Sequence, residues 1–189
     1  MEFLCLLLRC QTGSSGDLAK CRLFSQAKKV NSGCILFAFP PSIAKSELGG
    51  RQGSNACTII SVKFGTYYFN YKLDVSLLWN ELPQLWTGAL INAVCDGNAI
   101  YMMASFHSDT AVFLDVEDVA QSAGTECQVQ SCDHIFGFNN ANNFADLAAQ
   151  IDNVKLNSVL DHYGVLIACD KLVGNLVKGN GLCALVDSQ

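Results

Sequence analysis

The stretch from Gly49 to Phe64, GGRQGSNACTIISVKF, constrains this chain more than any other. Gly49 and Gly50 allow a sharp approach, because glycine takes backbone angles that other residues avoid. Ser54 or Asn55 then offers a side-chain oxygen as N-cap to the first turn of a helix. Beyond the cap, Ala56, Ile59, Ile60 and Phe64 recur at helical spacing and are expected to face a core. Cys57 falls in the first turn, where the positive end of the helix dipole favours a thiolate over a thiol. Gln52, upstream on the same loop, can aim an amide N–H at the same point, the type of donor that holds a developing oxyanion.

The residues leave two readings open. The pattern suits a nucleophilic cysteine, and it equally suits a buried cysteine at a helix start, since cysteine commonly packs as a small hydrophobe. The chain contains ten cysteines, so position alone does not single one out. They lie singly in apolar runs, as in INAVCD, LIACD and GLCALV. A chain of 189 residues, half of them apolar and with only three prolines, is long enough for a conventional core without a disulfide framework. The cysteines are therefore read as reduced and the protein as intracellular and cytoplasmic.

Charge narrows the partner classes. The net charge is −5 and Lys28–Lys29 is the one adjacent basic pair, which excludes a basic groove for nucleic acid. The apolar run Phe3 to Leu8 lacks a basic n-region before it and is shorter than a signal-peptide core of roughly 7–15 residues. No run approaches the roughly 20 residues of a membrane span, so neither a membrane nor a nucleic-acid partner is expected.

Along the chain, residues 1–33 read as a peripheral or disordered lead and residues 34–189 as one domain. CILFAFPPS reads as a short buried strand stopped by Pro40 and Pro41. Ser42 to Glu47 reads as a helical turn leading to the glycine approach. After the Cys57 helix, Pro83 opens a second one over QLWTGALINAVCDGNAIYMMA, and Asp96-Gly97-Asn98 reads as its end. Asp115 caps a third helix whose Val116 and Val119 face inward, and FADLAAQI reads as a fourth. GVLIACD, LVGNLVK and LCALVDS read as strands, with Gly179-Asn180-Gly181 as a hairpin turn between the last two. Helices first and hairpins last predict an α+β domain rather than an alternating parallel one.

A helix-start cysteine preceded by an amide, with a sheet after it, is the layout of papain-like cysteine peptidases. GRQGSNAC near the start and a terminal strand ending in LVDS resemble the herpesvirus tegument deubiquitinase type within that superfamily. The segments GNAIYMM, TAVFLDVEDVA, IFGFNNANNFADL and GVLIACD are similar to uncharacterised animal proteins sharing the same Gln/Cys and Asp-x-His motifs. The resemblance covers roughly residues 33–189 and rests on short motifs. It implies a papain-like α+β fold, with the nucleophile-bearing helix first and a C-terminal antiparallel sheet behind the helices. It also implies that the sheet continues past Gln189, so the chain stops inside the expected site, as a truncated gene model, a fragment or a decayed copy would.

Carried over residue by residue, the resemblance makes Cys57 the nucleophile, Gln52 the oxyanion donor and Asp187 the carboxylate that orients an imidazole. The next motif position holds Gln189 where the family has histidine. Glutamine cannot accept a thiol proton, so the triad is incomplete as written. His162, beside Asp161, is the substitute base to be tested against an ordinary solvent-facing role. His107 reads as a helix-end residue. His134 with Cys127 and Cys132 has the spacing C-x4-C-x-H, which does not match common zinc motifs. Asp115, Glu117 and Asp118 read as helix-start charges rather than an acid/base pair.

No metal and no cofactor is expected. The resemblance implies a thiol peptidase acting on ubiquitin or a ubiquitin-like tail. The alternatives are an inactive pseudo-peptidase retained as a protein-binding module, and a fragment of a longer chain.

Overall fold

The computed structural model describes residues 3–7, 26–31, 34–38, 43–48, 55–75, 82–103, 114, 116–127, 162–168, 171–177 and 183–187. Its buried core is mainly helical and is built around a packed pair, α1 (Cys57–Asn70) and α2 (Gln84–Met103). A third helix, α3 (Val116–Cys127), lies against α1 and is kinked at Ala123, whose φ of −138° departs from helical values.

Helix α1 is buried nearly all round over its first half. Ala56, Ile59, Ile60 and Phe64 are in the core as their spacing predicts, but so are Thr58, Ser61, Val62 and Lys63. Thr58 and Lys63 are tolerated because they bond to backbone that α1 packs against, whereas the buried Ser61 hydroxyl has no hydrogen-bond partner among the described residues. The Thr58 hydroxyl donates to the Leu114 carbonyl, Lys63 Nζ to the Glu126 carbonyl at 3.0 Å, and the Thr66 hydroxyl to the Cys127 carbonyl at 2.7 Å. One flank of α1 therefore presents polar groups to α3, and the opposite flank presents apolar ones to α2.

The expected stop of the second helix at Asp96-Gly97-Asn98 is not made; α2 runs through it to Met103. Tertiary packing accounts for the difference. A Cβ built at Gly97 would stand 2.9 Å from Ile60 Cα and 2.5 Å from Ile60 Cγ1, so the residue that reads as a stop signal is where the two helix backbones come closest. Asn98 is buried for a related reason, taken up below. The proline at the front of α2 behaves as its type predicts, with the amides of Trp86 and Thr87 donating to the Pro83 carbonyl.

Six strands form one sheet in the order β2–β3–β1–β6–β5–β4, where β1 is Phe3–Leu7, β2 Gln26–Asn31, β3 Cys34–Ala38, β4 His162–Ala168, β5 Lys171–Val177 and β6 Cys183–Asp187. The last three strands are antiparallel neighbours, but β1 pairs in parallel with both β3 and β6. The sheet is thus mixed and includes strands from both ends of the chain. Residues 1–33 are expected to be peripheral, yet they supply β1, between β3 and β6, and β2 at one edge.

Helix α1 packs on β4 and β5, where Tyr163 lies over Gly65 and its hydroxyl donates to the Ser61 carbonyl at 2.6 Å. Burial holds the Tyr163 phenol well above the usual tyrosine pKa. Phe64 sits between Trp86 and Tyr163, with ring centroids 5.8 and 6.1 Å apart, and so joins the helix pair to β4. The expected helix 144–151 and the turn at 179–181 lie outside the described residues.

Candidate active site

Cys57 is the first residue of α1. The N-cap is Ala56, which makes no side-chain cap bond, so the N-cap position falls one residue after Asn55; Ser54 lies outside the described residues. The first-turn amides of α1 are thus left without a capping side chain from the residue in front of Cys57. Only 5% of Cys57 is exposed.

The group that meets the sulfur is a lysine. Lys45 Nζ donates to Cys57 Sγ at 2.7 Å. Lys45 belongs to the turn segment 43–48, the helical turn expected before the glycine approach, and this segment is fixed to α2. Asn98, only 1% exposed, donates from Nδ2 to the carbonyls of Lys45 at 2.7 Å and Leu48 at 2.9 Å. Within the segment, the amides of Glu47 and Leu48 both donate to the Ala44 carbonyl. Ile43, buried in the core cluster, anchors the start of the same turn. A fixed turn, a buried amide on α2 and the front of α1 thereby set one ammonium against one sulfur.

The sequence reading passed over Lys45 and Asn98. One weak signal existed: Lys45 is the only basic residue between Val30 and Gly50. For Asn98 the signal pointed the wrong way, since Asp-Gly-Asn reads as a helix end until the partner helix is in place.

Of the residues the resemblance nominates, Gln52 and Gln189 lie outside the described residues, as do Asp161, His107, Cys132 and His134. Asp187 is the last residue of β6, paired with Leu7 on one side and Val173 on the other. His162 is the first residue of β4, paired with Val177, which in turn pairs with Cys183. His162 and Asp187 are therefore separated by the width of β5 and by four residues along the sheet. At about 4.8 Å per strand and 3.3 Å per residue, their backbones stand roughly 16 Å apart. The structure brings Cys57 together with Lys45 rather than with a histidine among the described residues.

A second cysteine, on α3, lies beside the later part of α1. Cys127 ends α3, is fully buried, and its thiol is pushed up to about 11, by burial first and by Glu126 second, against the opposing charge of Lys63. Nearby, the Tyr67 hydroxyl donates to Asp96 Oδ2; burial and that carboxylate hold the phenol above its usual range. Cys95, exposed on α2, is also pushed up by desolvation and by Asp96. Cys57, Cys95 and Cys127 all carry free thiols. Among the described residues no group of three or more His, Cys, Asp or Glu side chains could hold a metal ion, and no helix is long and apolar enough to cross a membrane.

No protein-family model matches this chain, and no curated protein or solved structure matches it.

Proposed function

We propose that the chain is a cysteine peptidase-like protein with a papain-like α+β fold, in which Cys57 is the nucleophile. The observation that carries this reading is the contact of Lys45 Nζ with Cys57 Sγ at 2.7 Å, at the first residue of a helix. A cation beside the sulfur and the positive end of a helix dipole both stabilise negative charge there, the condition under which a cysteine attacks a carbonyl. In that respect Lys45 stands in for the imidazolium of a cysteine–histidine pair. Backbone amides at the start of α1, with Gln52, supply donors for the oxyanion that forms as the thiolate adds to the carbonyl carbon. The substrate class, ubiquitin or a ubiquitin-like tail, rests on the similarity of GRQGSNAC and LVDS to the tegument deubiquitinase type.

A second reading is favoured by two specific observations. Gln189 occupies the histidine position, and Cys57 is 5% exposed with its sulfur already in contact with a lysine. These suit a pseudo-peptidase that keeps the fold as a protein-binding module.

One experiment separates the two. The purified reduced protein is treated with a ubiquitin-derived electrophilic probe beside a Cys57→Ala control. The expected result is a covalent adduct in the parent protein and none in the control. A folded parent protein that gives no adduct removes the peptidase reading and leaves the binding module.

A further inference from the structure

We propose that Lys45 and Cys57 are a reversible oxidation site at which a single oxygen atom bridges Nζ and Sγ. The separation points to it. Even N–H···O bonds centre near about 2.9–3.0 Å, and sulfur is larger than oxygen, so a non-bonded N–H···S contact is longer still. At 2.7 Å, Lys45 Nζ and Cys57 Sγ lie inside that contact distance, at a spacing that two single bonds through one bridging atom span.

A second observation is independent of the distance. Both ends of the pair are held by backbone. The Lys45 carbonyl is bound by the buried amide of Asn98, and the Ile60 amide donates to the Ala56 carbonyl beside Cys57. Little conformational freedom remains to be lost when the bridge forms. The competing product for an oxidised cysteine is a disulfide. Cys127 packs near Thr66, nine residues farther along α1 than Cys57 and so roughly 14 Å away along the axis. Cys95 is exposed on α2, whereas Cys57 is enclosed. Among the cysteines whose side chains are described, neither is placed to take the sulfur.

The step balances with molecular oxygen as oxidant. Lys45 first gives its ammonium proton to solvent. The neutral amine and the thiol then react with one dioxygen. One oxygen atom forms bonds to nitrogen and to sulfur; the other leaves as water, carrying one hydrogen from each. Nitrogen and sulfur each give up two electrons and dioxygen takes up all four. Four equivalents of an external thiol reverse the change, returning amine, thiol and water and leaving two disulfides of the reductant. A bridged sulfur is bonded to oxygen and can no longer form the thiolate that attacks a carbonyl, so the bridge is an off state of the site. That regulatory consequence rests on the peptidase reading; the bridge itself does not.

The test uses the full chain. Reduced protein is exposed to dioxygen, digested without reductant and mapped by mass spectrometry. The expected result is a peptide containing Lys45 joined to one containing Cys57, with a combined mass raised by one oxygen and lowered by two hydrogens. Dithiothreitol should abolish this species, and Lys45→Met and Cys57→Ser should each prevent it. Cys57 found unchanged, as a disulfide or as its sulfinic or sulfonic acid, with Lys45 unmodified, overturns the proposal. The parent chain alone decides this, whatever the folding of the variants. The ubiquitin-type probe, applied to the reduced sample, separates the two claims. A bridge without probe labelling leaves the oxidation site and removes the peptidase; labelling without a bridge does the reverse.

Discussion

At the start of α1 an ammonium rests on the sulfur of Cys57; toward its other end Lys63 approaches Cys127 but is committed elsewhere. Lys63 Nζ donates to the Glu126 carbonyl, stands 3.9 Å from Asp96 Oδ2 and lies 5.1 Å over the Tyr67 ring. The helix termini add to the contrast. Cys57 opens a helix, where the dipole favours negative charge, and Cys127 closes one, where it disfavours it. Burial and a nearby lysine are common to both cysteines, so neither feature alone makes a site. What separates them is which atom receives the ammonium and which end of a helix carries the thiol.

The comparison assumes that both ends belong to one cooperative unit, and Phe64 tests that. It lies between them, 1% exposed, against Trp86 and Tyr163. Phe64→Ala is expected to have the largest effect, a cost of about 3–5 kcal/mol, as the aromatic contacts are lost and a cavity is left. In urea, alkylation of Cys57 and of Cys127 should become possible in a single transition shifted to lower denaturant. Exposure of one cysteine well before the other would break the comparison, because the two thiols would then belong to separately opening regions.

Asn98→Ala sharpens the contrast by touching one end only. Removing the amide leaves the Lys45 and Leu48 carbonyls without their donor and is expected to cost about 1–3 kcal/mol. The turn carrying Lys45 loses its tether to α2. Oxygen-dependent joining of Lys45 and Cys57 should therefore slow severalfold, while alkylation of Cys127 in the folded protein stays as it was. An equal effect on both cysteines would mean that Asn98 supports the helix pair generally and does not position Lys45.

How much of this could be read from the sequence depended on the range of the interaction. The apolar positions of α1 and α3 follow from local period, and Pro83 marks the front of α2 through its own backbone chemistry. The position of Cys57 at a helix start was likewise legible in GSNAC. The rest depends on contacts between distant residues. Gly97 and Asn98 form a stop signal in isolation, and only the presence of Ile60 and the 43–48 turn makes them interior to a helix. The placement of Thr58, Lys63 and Thr66 depends on carbonyls of residues 114, 126 and 127, more than fifty positions away. Lys45 meets Cys57 across a Gly-rich loop whose path no periodicity describes. In β1, a short apolar run next to a polar lead gave no sign of its strand partners, because parallel pairing is set by the rest of the sheet.

The smallest expected effect concerns Cys127 and the alkaline limb of stability. Its thiol is pushed from 9.0 up to about 11 in the folded chain. Below about 9 the thiol is protonated in both folded and unfolded states, and its favourable contribution is fully present. Between about 9 and about 11 the unfolded chain ionises while the folded chain keeps its proton, so the contribution is lost as pH rises through that window. The melting temperature of the parent protein should fall more steeply there than that of Cys127→Ala, which carries a constant packing loss of about 1 kcal/mol but no thiol to titrate. Lys63→Met removes the charge that opposes the shift, so the parent-minus-variant difference in slope should extend to higher pH in that background. If Lys63→Met instead left the alkaline limb unmoved, the lysine would exert no field on Cys127. The contrast along α1 would then reduce to the presence of an ammonium at one sulfur and its absence at the other.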